Sequence, residues 1–239
     1  GDLGYSRLRD KEVEEVVFKR LETTTTMALL STIISVLIAI PLGILAAVKR
    51  GTLTDQLIGI FTGINMAMPP FWIGLTVVYL TAVHLNWTPP IYYKPIYIDP
   101  LRNLTILMFP VFSIALSSSA VISRYMRSMA LEVLNEDYVR TARSKGISEF
   151  KIITTHVLPN ALIPVITLFG FYFSTTISGV VVLEKVFNVH GVGLELIGAV
   201  RARDADMIVG IILALSIIIS LWILLIDILY AYIDPRIRY

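Results

Sequence analysis

No cysteine occurs anywhere in the 239 residues. That absence excludes disulfides, thiolate zinc sites and iron–sulfur clusters, and leaves the redox compartment open. Histidine is nearly as scarce: His84, His156 and His190 are the three, at separated positions. Neither H-E-x-x-H nor G-x-x-x-x-G-K-[ST] appears, so the chain carries no signature of a zinc protease or of a phosphate-binding loop, and no metal or cofactor is expected. Charge is in short supply as well. Asp, Glu, Lys and Arg make up 16% of the chain, where soluble domains carry about a quarter. The net charge of +2, with no basic run interleaved with aromatics, makes no case for nucleic acid.

What the chain has instead is apolar length. It is 56% hydrophobic with a mean hydropathy of +0.76, the composition of an integral membrane protein. Five hydrophobic stretches stand out, at about 23–48, 57–83, 104–122, 159–182 and 207–226. About 20 helical residues at about 1.5 Å each cover a hydrocarbon core of about 30 Å, so each is read as a transmembrane helix. The expected fold is therefore an all-α, polytopic helical bundle. Pro41 should kink the first span. The second carries Gly59-x-x-x-Gly63, which suits close helix approach or ordinary packing, and the pair Pro69-Pro70. Two prolines remove two backbone donors inside lipid, so the helix must break or kink where protein or water covers the freed carbonyls. A face on a translocation path and a purely structural kink both satisfy that requirement.

Between the spans the chain turns polar. Residues 1–22 alternate in sign and read as a flexible or interfacial lead-in. With no signal peptide and Gly at position 1, the chain reads as a fragment or a processed product. His84 to Arg102 is rich in Pro and Tyr and fits a membrane-interface belt. The third span runs straight into Arg124 and Arg127, so its helix should continue out of lipid. Leu183 to Asp206 is a further polar connection; its Gly191 and Gly193 open no βαβ unit, which excludes a dinucleotide site. Asp227 follows the last span and is expected to pair or snorkel there.

The long interruption at 135–159, NEDYVRTARSKGISEFKIITTHVLP, reads as two short helices. Asn135 can cap the first, Glu136 and Asp137 fill its first turn, Arg143 and Lys145 its last, and Gly146 stops it. Ser148 then caps a second helix whose Phe150, Ile153 and Val157 share a face. By residues alone this is either a solvated loop or a docking element with an apolar underside.

The spacing of Arg140-Thr141-Ala142, Gly146, His156 and Leu158-Pro159 resembles the EAA loop of membrane subunits of ATP-binding-cassette importers, E-A-A-x3-G-x9-I-x-L-P. Ala142, Gly146, Leu158 and Pro159 match it. Arg140, Thr141 and His156 depart from it in a way similar to the dipeptide/oligopeptide (nickel) permease branch. GDLGYS at the start, E-x-V-F and G-x-G-L around Phe187, Gly191 and Gly193, and Y-A-x-x-D-P-R-I at the end are similar to the same branch; His190 stands where that branch commonly has Pro.

The resemblance implies a type I importer permease fold with five of its transmembrane helices in this chain and the first missing upstream. It also implies a cytoplasmic coupling helix-turn-helix at 135–159 and an outer-gate loop bearing Phe187, Gly191 and Gly193, while Pro69 and Pro70 stay candidates for a pathway kink on their own chemistry. The implied partners are a second permease subunit, alike or different, two cytoplasmic ATPase subunits and an extracytoplasmic solute-binding protein. Lys and Arg number ten in 49–56, 124–158 and 234–239 together and ten elsewhere, so loop charge does not fix orientation; the resemblance places Gly1 outside and Tyr239 in the cytoplasm. With no nucleotide site of its own, the chain is expected not to be an enzyme. An ion-coupled secondary transporter is the alternative, disfavoured because every carboxylate falls in a loop or at a span end; a non-transporting scaffold is the third reading.

Overall fold

The computed structural model describes residues 3–7, 9–90 and 93–233. Among them the order is a two-stranded hairpin, β1 (Tyr5–Ser6) and β2 (Lys11–Glu12), then α1 (Val13–Val48), α2 (Leu53–Ala67), α3 (Pro70–Leu85), α4 (Pro100–Leu134), α5 (Asp137–Ser144), α6 (Glu149–Ile152), a π turn at Ile153–Val157, α7 (Leu158–Val186), α8 (Val192–Ala202) and α9 (Ala205–Ile233). The D-P-R-I terminus, from Asp234 onward, lies outside the described residues.

Among the described residues four helical stretches are long and apolar enough to cross a membrane: Val13–Val48, Pro100–Leu134, Glu149–Val186 and Ala205–Ala231. The α2 and α3 helices reach that length only together, and they are bent by 104°. Five spans result when the bent pair counts as one. The break falls at the double proline. Pro69 is the extended N-cap of α3 (φ −61°, ψ 138°) and Pro70 its first residue, where a missing N–H is one of the unpaired donors of any helix start. The prolines therefore end one helix and begin another instead of kinking a single rod. The third apolar run does continue as a helix past Arg124 and Arg127, to Leu134.

The chain divides into two compact bodies, one built from Gly1–Thr32, Pro69–Ile114 and Phe173–Trp222, the other from Ile33–Met68, Ala115–Tyr172 and Ile223–Tyr239. In the first, α1 starts ten residues before its apolar run, at Val13 rather than Thr23. Val13, Val16 and Val17, at i, i+3 and i+4, are buried against Val192, Met207 and Ile211, while Glu14, Glu15 and Lys19 face outward. An amphipathic stripe pays no heed to average hydropathy. The described part of the polar lead-in, 3–7 and 9–12, thus leads directly into α1. Its hairpin is tied down by Ser6 Oγ donating to Asp204 Oδ2 at 2.7 Å and by Arg9 donating from Nε and Nη2 to Glu195 at 2.5 and 2.8 Å.

In the second body, α1 and α4 meet closely at Gly43, where an added Cβ would lie 2.6 Å from Met126 Cβ and from the Ser123 carbonyl oxygen. Gly59 and Gly63 are different: nothing lies within 4 Å of a Cβ at either. That glycine pair marks open space on α2, not a close helix contact among the described residues.

Candidate functional site

The 135–159 segment forms the expected pair of short helices, with different details at its ends. Asn135 does not cap α5. Its amide donates to the Leu131 carbonyl at 2.8 Å, finishing α4, and the N-cap is Glu136, extended at φ −67°, ψ 145°. Ser148 occupies the N-cap position of α6, without a side-chain capping bond. Between the two helices, Gly146 takes φ +73°. Its N–H donates to Arg143 O at 2.9 Å and the Ile147 N–H to Ala142 O at 3.3 Å, the paired bonds of a Schellman ending. Across that turn Arg143 Nε donates to Glu149 Oε1 at 2.7 Å, which raises the Arg143 guanidinium above its ordinary value.

The underside is apolar, but not the face expected. Val139 and Ala142 of α5 pack with Ile152, Val157, Ala161 and Met126, while Phe150 is turned outward and 78% exposed. The π turn is the reason. Residues five apart diverge on an α-helix but nearly eclipse across an i→i+5 turn, so Ile152 and Val157 share the buried side. The same wider turn precedes Pro159, which cannot donate to the Thr155 carbonyl and would crowd it in a regular helix. Helix therefore runs unbroken from Glu149 to Val186 through Leu158-Pro159.

Of the motif residues, Ala142 is buried, Leu158 and His156 are half-buried, and Arg140, Thr141, Gly146 and Pro159 are exposed. The His156 ring stands edge-on to Tyr138 with centroids 6.3 Å apart. Tyr138 (44%) and Phe150 (78%) are the exposed aromatics of the segment. Tyr138 opens the Y-V-R-T-A-R-x-K-G form of the motif, whereas Phe150 lies outside it and stands out as a large ring left bare on a charged surface.

The 183–206 connection is more ordered than its polarity suggested. It contains α8, and Phe187 follows directly on α7. Gly191 is the extended N-cap of α8, where a Cβ would run into the Glu184 carboxylate; at Gly193 a Cβ would lie 2.6 Å from Val181 Cγ2 and 2.7 Å from its Cα. Both glycines mark close approach rather than loop freedom. Glu184, the first residue of the E-x-V-F sequence, is fully buried. It accepts from Thr24 Oγ1 at 2.5 Å and from the Leu194 N–H at 2.9 Å, while the Val192 N–H donates to Thr24 Oγ1 at 2.9 Å. One carboxylate thereby joins α1, α7 and the first turn of α8, the end of a helix that favours negative charge. The motif made Glu184 visible, but only the packing made it buried.

Asp227 sits within α9, exposed, and not at its end. Among the described residues no group of three or more His, Asp or Glu side chains could hold a metal ion.

The sequence profile of one family, described as "Binding-protein-dependent transport system inner membrane component", matches residues 39–239. Among curated relatives, a putative peptide transport system permease protein of Brucella abortus (strain 2308) is 38% identical over 238 residues, 100% of this chain and 76% of the relative. The oligopeptide transport system permease protein AppB of Bacillus subtilis (strain 168) is 36% identical over 242 residues, 100% of this chain and 77% of the relative. Among solved structures, an inward-facing form of the MetNI methionine ABC transporter superposes with a TM-score of 0.72 at 15% identity, covering 92% of this chain and 97% of that one. An amino acid ABC transporter determined with histidines gives 0.62 at 14% identity, covering 94% and 95%. Motif spacing, helical bundle and these matches converge, and the chain belongs to the binding-protein-dependent transport system inner membrane components, the multi-pass permease subunits of ABC importers.

Proposed function

We propose that this chain forms half of a translocation pathway for peptides and that its 137–159 segment receives the thrust of an ATPase. Permeases of this family work with ABC ATPases and a substrate-binding protein. The assignment made here is two cytoplasmic ATPase subunits, one solute-binding protein on the outer side, and a second permease, a copy or a related chain, completing the pore. Gly1 then lies outside and Tyr239 in the cytoplasm. The observation that carries the coupling role is the way α5 and α6 are held. Val139, Ala142, Ile152 and Val157 are buried beneath them, while Arg140, Thr141, Lys145 and Phe150 face outward, and the π turn joins α6 to α7 without a break in helix. Force applied to the exposed face passes into a span as rigid-body movement.

Phe187, Gly191 and Gly193 form the outer gate together with α8. The bent α2–α3 pair, broken at Pro69-Pro70, lines the pathway, because backbone freed of its helical bonds is tolerated at membrane depth only beside protein or water. The peptide cargo is the cargo named for the relatives from Brucella and Bacillus.

The test is uptake of a tripeptide into vesicles holding the complete transporter with its binding protein. Uptake that requires hydrolysable ATP supports the reading. Uptake driven by an ion gradient without ATP rejects it in favour of a secondary transporter, and no uptake of any peptide rejects the cargo.

A further inference from the structure

A cavity of about 420 Å³ opens between α2 and α4, lined by Asp55, Gln56, Gly59 and Thr62 from one side and Ser123, Arg124, Arg127 and Ser128 from the other. Its charges do not balance. Arg127 donates from Nε and Nη2 to the two carboxylate oxygens of Asp55, both at 2.8 Å, a fork that uses up the acid. Arg124 is left with a methionine sulfur, Met66 Sδ at 3.4 Å, as its side-chain contact, and among the described residues it has no acidic partner. It stands two residues beyond the apolar run that ends at Ile122, and its side chain is exposed.

The neutral donors sort in the same way. Thr62 and Ser123 give their hydroxyls to their own helix, to Gly59 O at 3.1 Å and Ala120 O at 3.3 Å. Gln56 and Ser128 have no side-chain hydrogen bond among the described residues, and both are exposed to the cavity. Gly59 leaves its floor clear, with nothing within 4 Å of a Cβ. The result is a wet recess of ligand size with one surplus cation, two idle donors and a second cation fixed in place by Asp55.

We propose that this cavity binds an oxyanion group, a carboxylate or a phosphate, gripped by Arg124 with Gln56 and Ser128 as neutral donors, beside an Arg127 whose charge is already matched by Asp55. A guanidinium offers a planar fork that matches both groups. Two sources supply that chemistry: the terminal carboxylate of a peptide in transit, which rests on the peptide reading above, and the phosphate of a lipid headgroup. In the first case Arg124 is a positioning residue of the pathway, and in the second it is a lipid site.

The test uses the complete transporter in nanodiscs. Because these 239 residues hold no cysteine, Ser128→Cys introduces a single thiol within them, and the modification of the peptide that carries it is followed by mass. An anionic methanethiosulfonate should modify it about tenfold faster than a neutral one, after correction for their rates with a free thiol, since the unmatched cation of Arg124 lines the same cavity and attracts the reagent. Adding Arg124→Gln should bring the ratio to one, and Arg124→Lys should keep most of it. Trialanine should slow the reaction while its C-terminal amide should not if the solute is the ligand; phosphatidylglycerol in place of phosphatidylcholine should slow it without peptide if the lipid is. No charge selectivity, no protection by either anion, or a thiol that never reacts overturns the proposal. The two readings fail separately. Tripeptide uptake without charge-selective labelling rejects the cavity alone, and labelling protected by phosphatidylglycerol in a transporter that imports no peptide rejects the cargo alone.

Discussion

Replacing Gly146 with Val tests the coupling element most directly. The glycine lies at φ +73°, in the left-handed region that costs an ordinary L-residue about 1–2 kcal/mol. Open space surrounds it, with nothing within 4 Å of a Cβ, so the penalty is one of backbone conformation and not of collision, and a β-branched side chain sits at its upper end. If the chain escapes by leaving that region, it surrenders the Gly146 to Arg143 and Ile147 to Ala142 bonds, worth about 1 kcal/mol each. It also swings Glu149 away from Arg143. Either route shifts the balance between the native turn and alternatives by a factor of about 5–30, while the buried contacts of the spans are untouched. Gly146→Val should therefore give a protein that inserts and extracts normally, co-purifies less ATPase and takes up less tripeptide. Gly146→Ala should show the same pattern more weakly, and Gly146→Asn, which tolerates left-handed backbone, should be mildest. Wild-type ATPase association and uptake in the Val variant would refute the reasoning and return the segment to a solvated loop.

Phe150→Ala removes a ring that is 78% exposed, so thermal stability should move by less than about 0.5 kcal/mol; if the ring anchors the ATPase, association should weaken about tenfold or more, and unchanged association would remove Phe150 from the interface. Gly193→Ala pushes a methyl into the backbone of Val181, an overpacking that should cost about 1–3 kcal/mol; an unaltered thermal midpoint of the detergent-solubilised protein would show that α8 is free to back away from α7.

The sequence by itself determined the class of this protein. Apolar runs of spanning length demand helices in lipid whatever their partners, and the spacing of Ala142, Gly146, Leu158 and Pro159 identified the family because it is a local property of a few adjacent turns. Gly146 was legible for the same reason, since positive φ after a short helix is a demand of the backbone alone. The tertiary structure decided which faces are inside. Phe150 was assigned to the buried side by a period of 3.6, and the π turn before Pro159 changed that period, exchanging it for Ile152. Residues 13–22 carried too many charges to look like part of a span, yet a stripe of three valines suffices to bury a helix once α8 and α9 supply the opposite surface. Gly59 and Gly63 have the spacing of a close helix approach and face open space, whereas Gly43, Gly191 and Gly193 are among the glycines that occupy tight places. A glycine's spacing shows only that a helix can be approached; whether another element arrives there depends on residues far away in the chain. Glu184 makes the same point: its partners Thr24 and Leu194 come from two other helices, and long-range pairing of that kind leaves no mark on the local pattern from which a sequence is read.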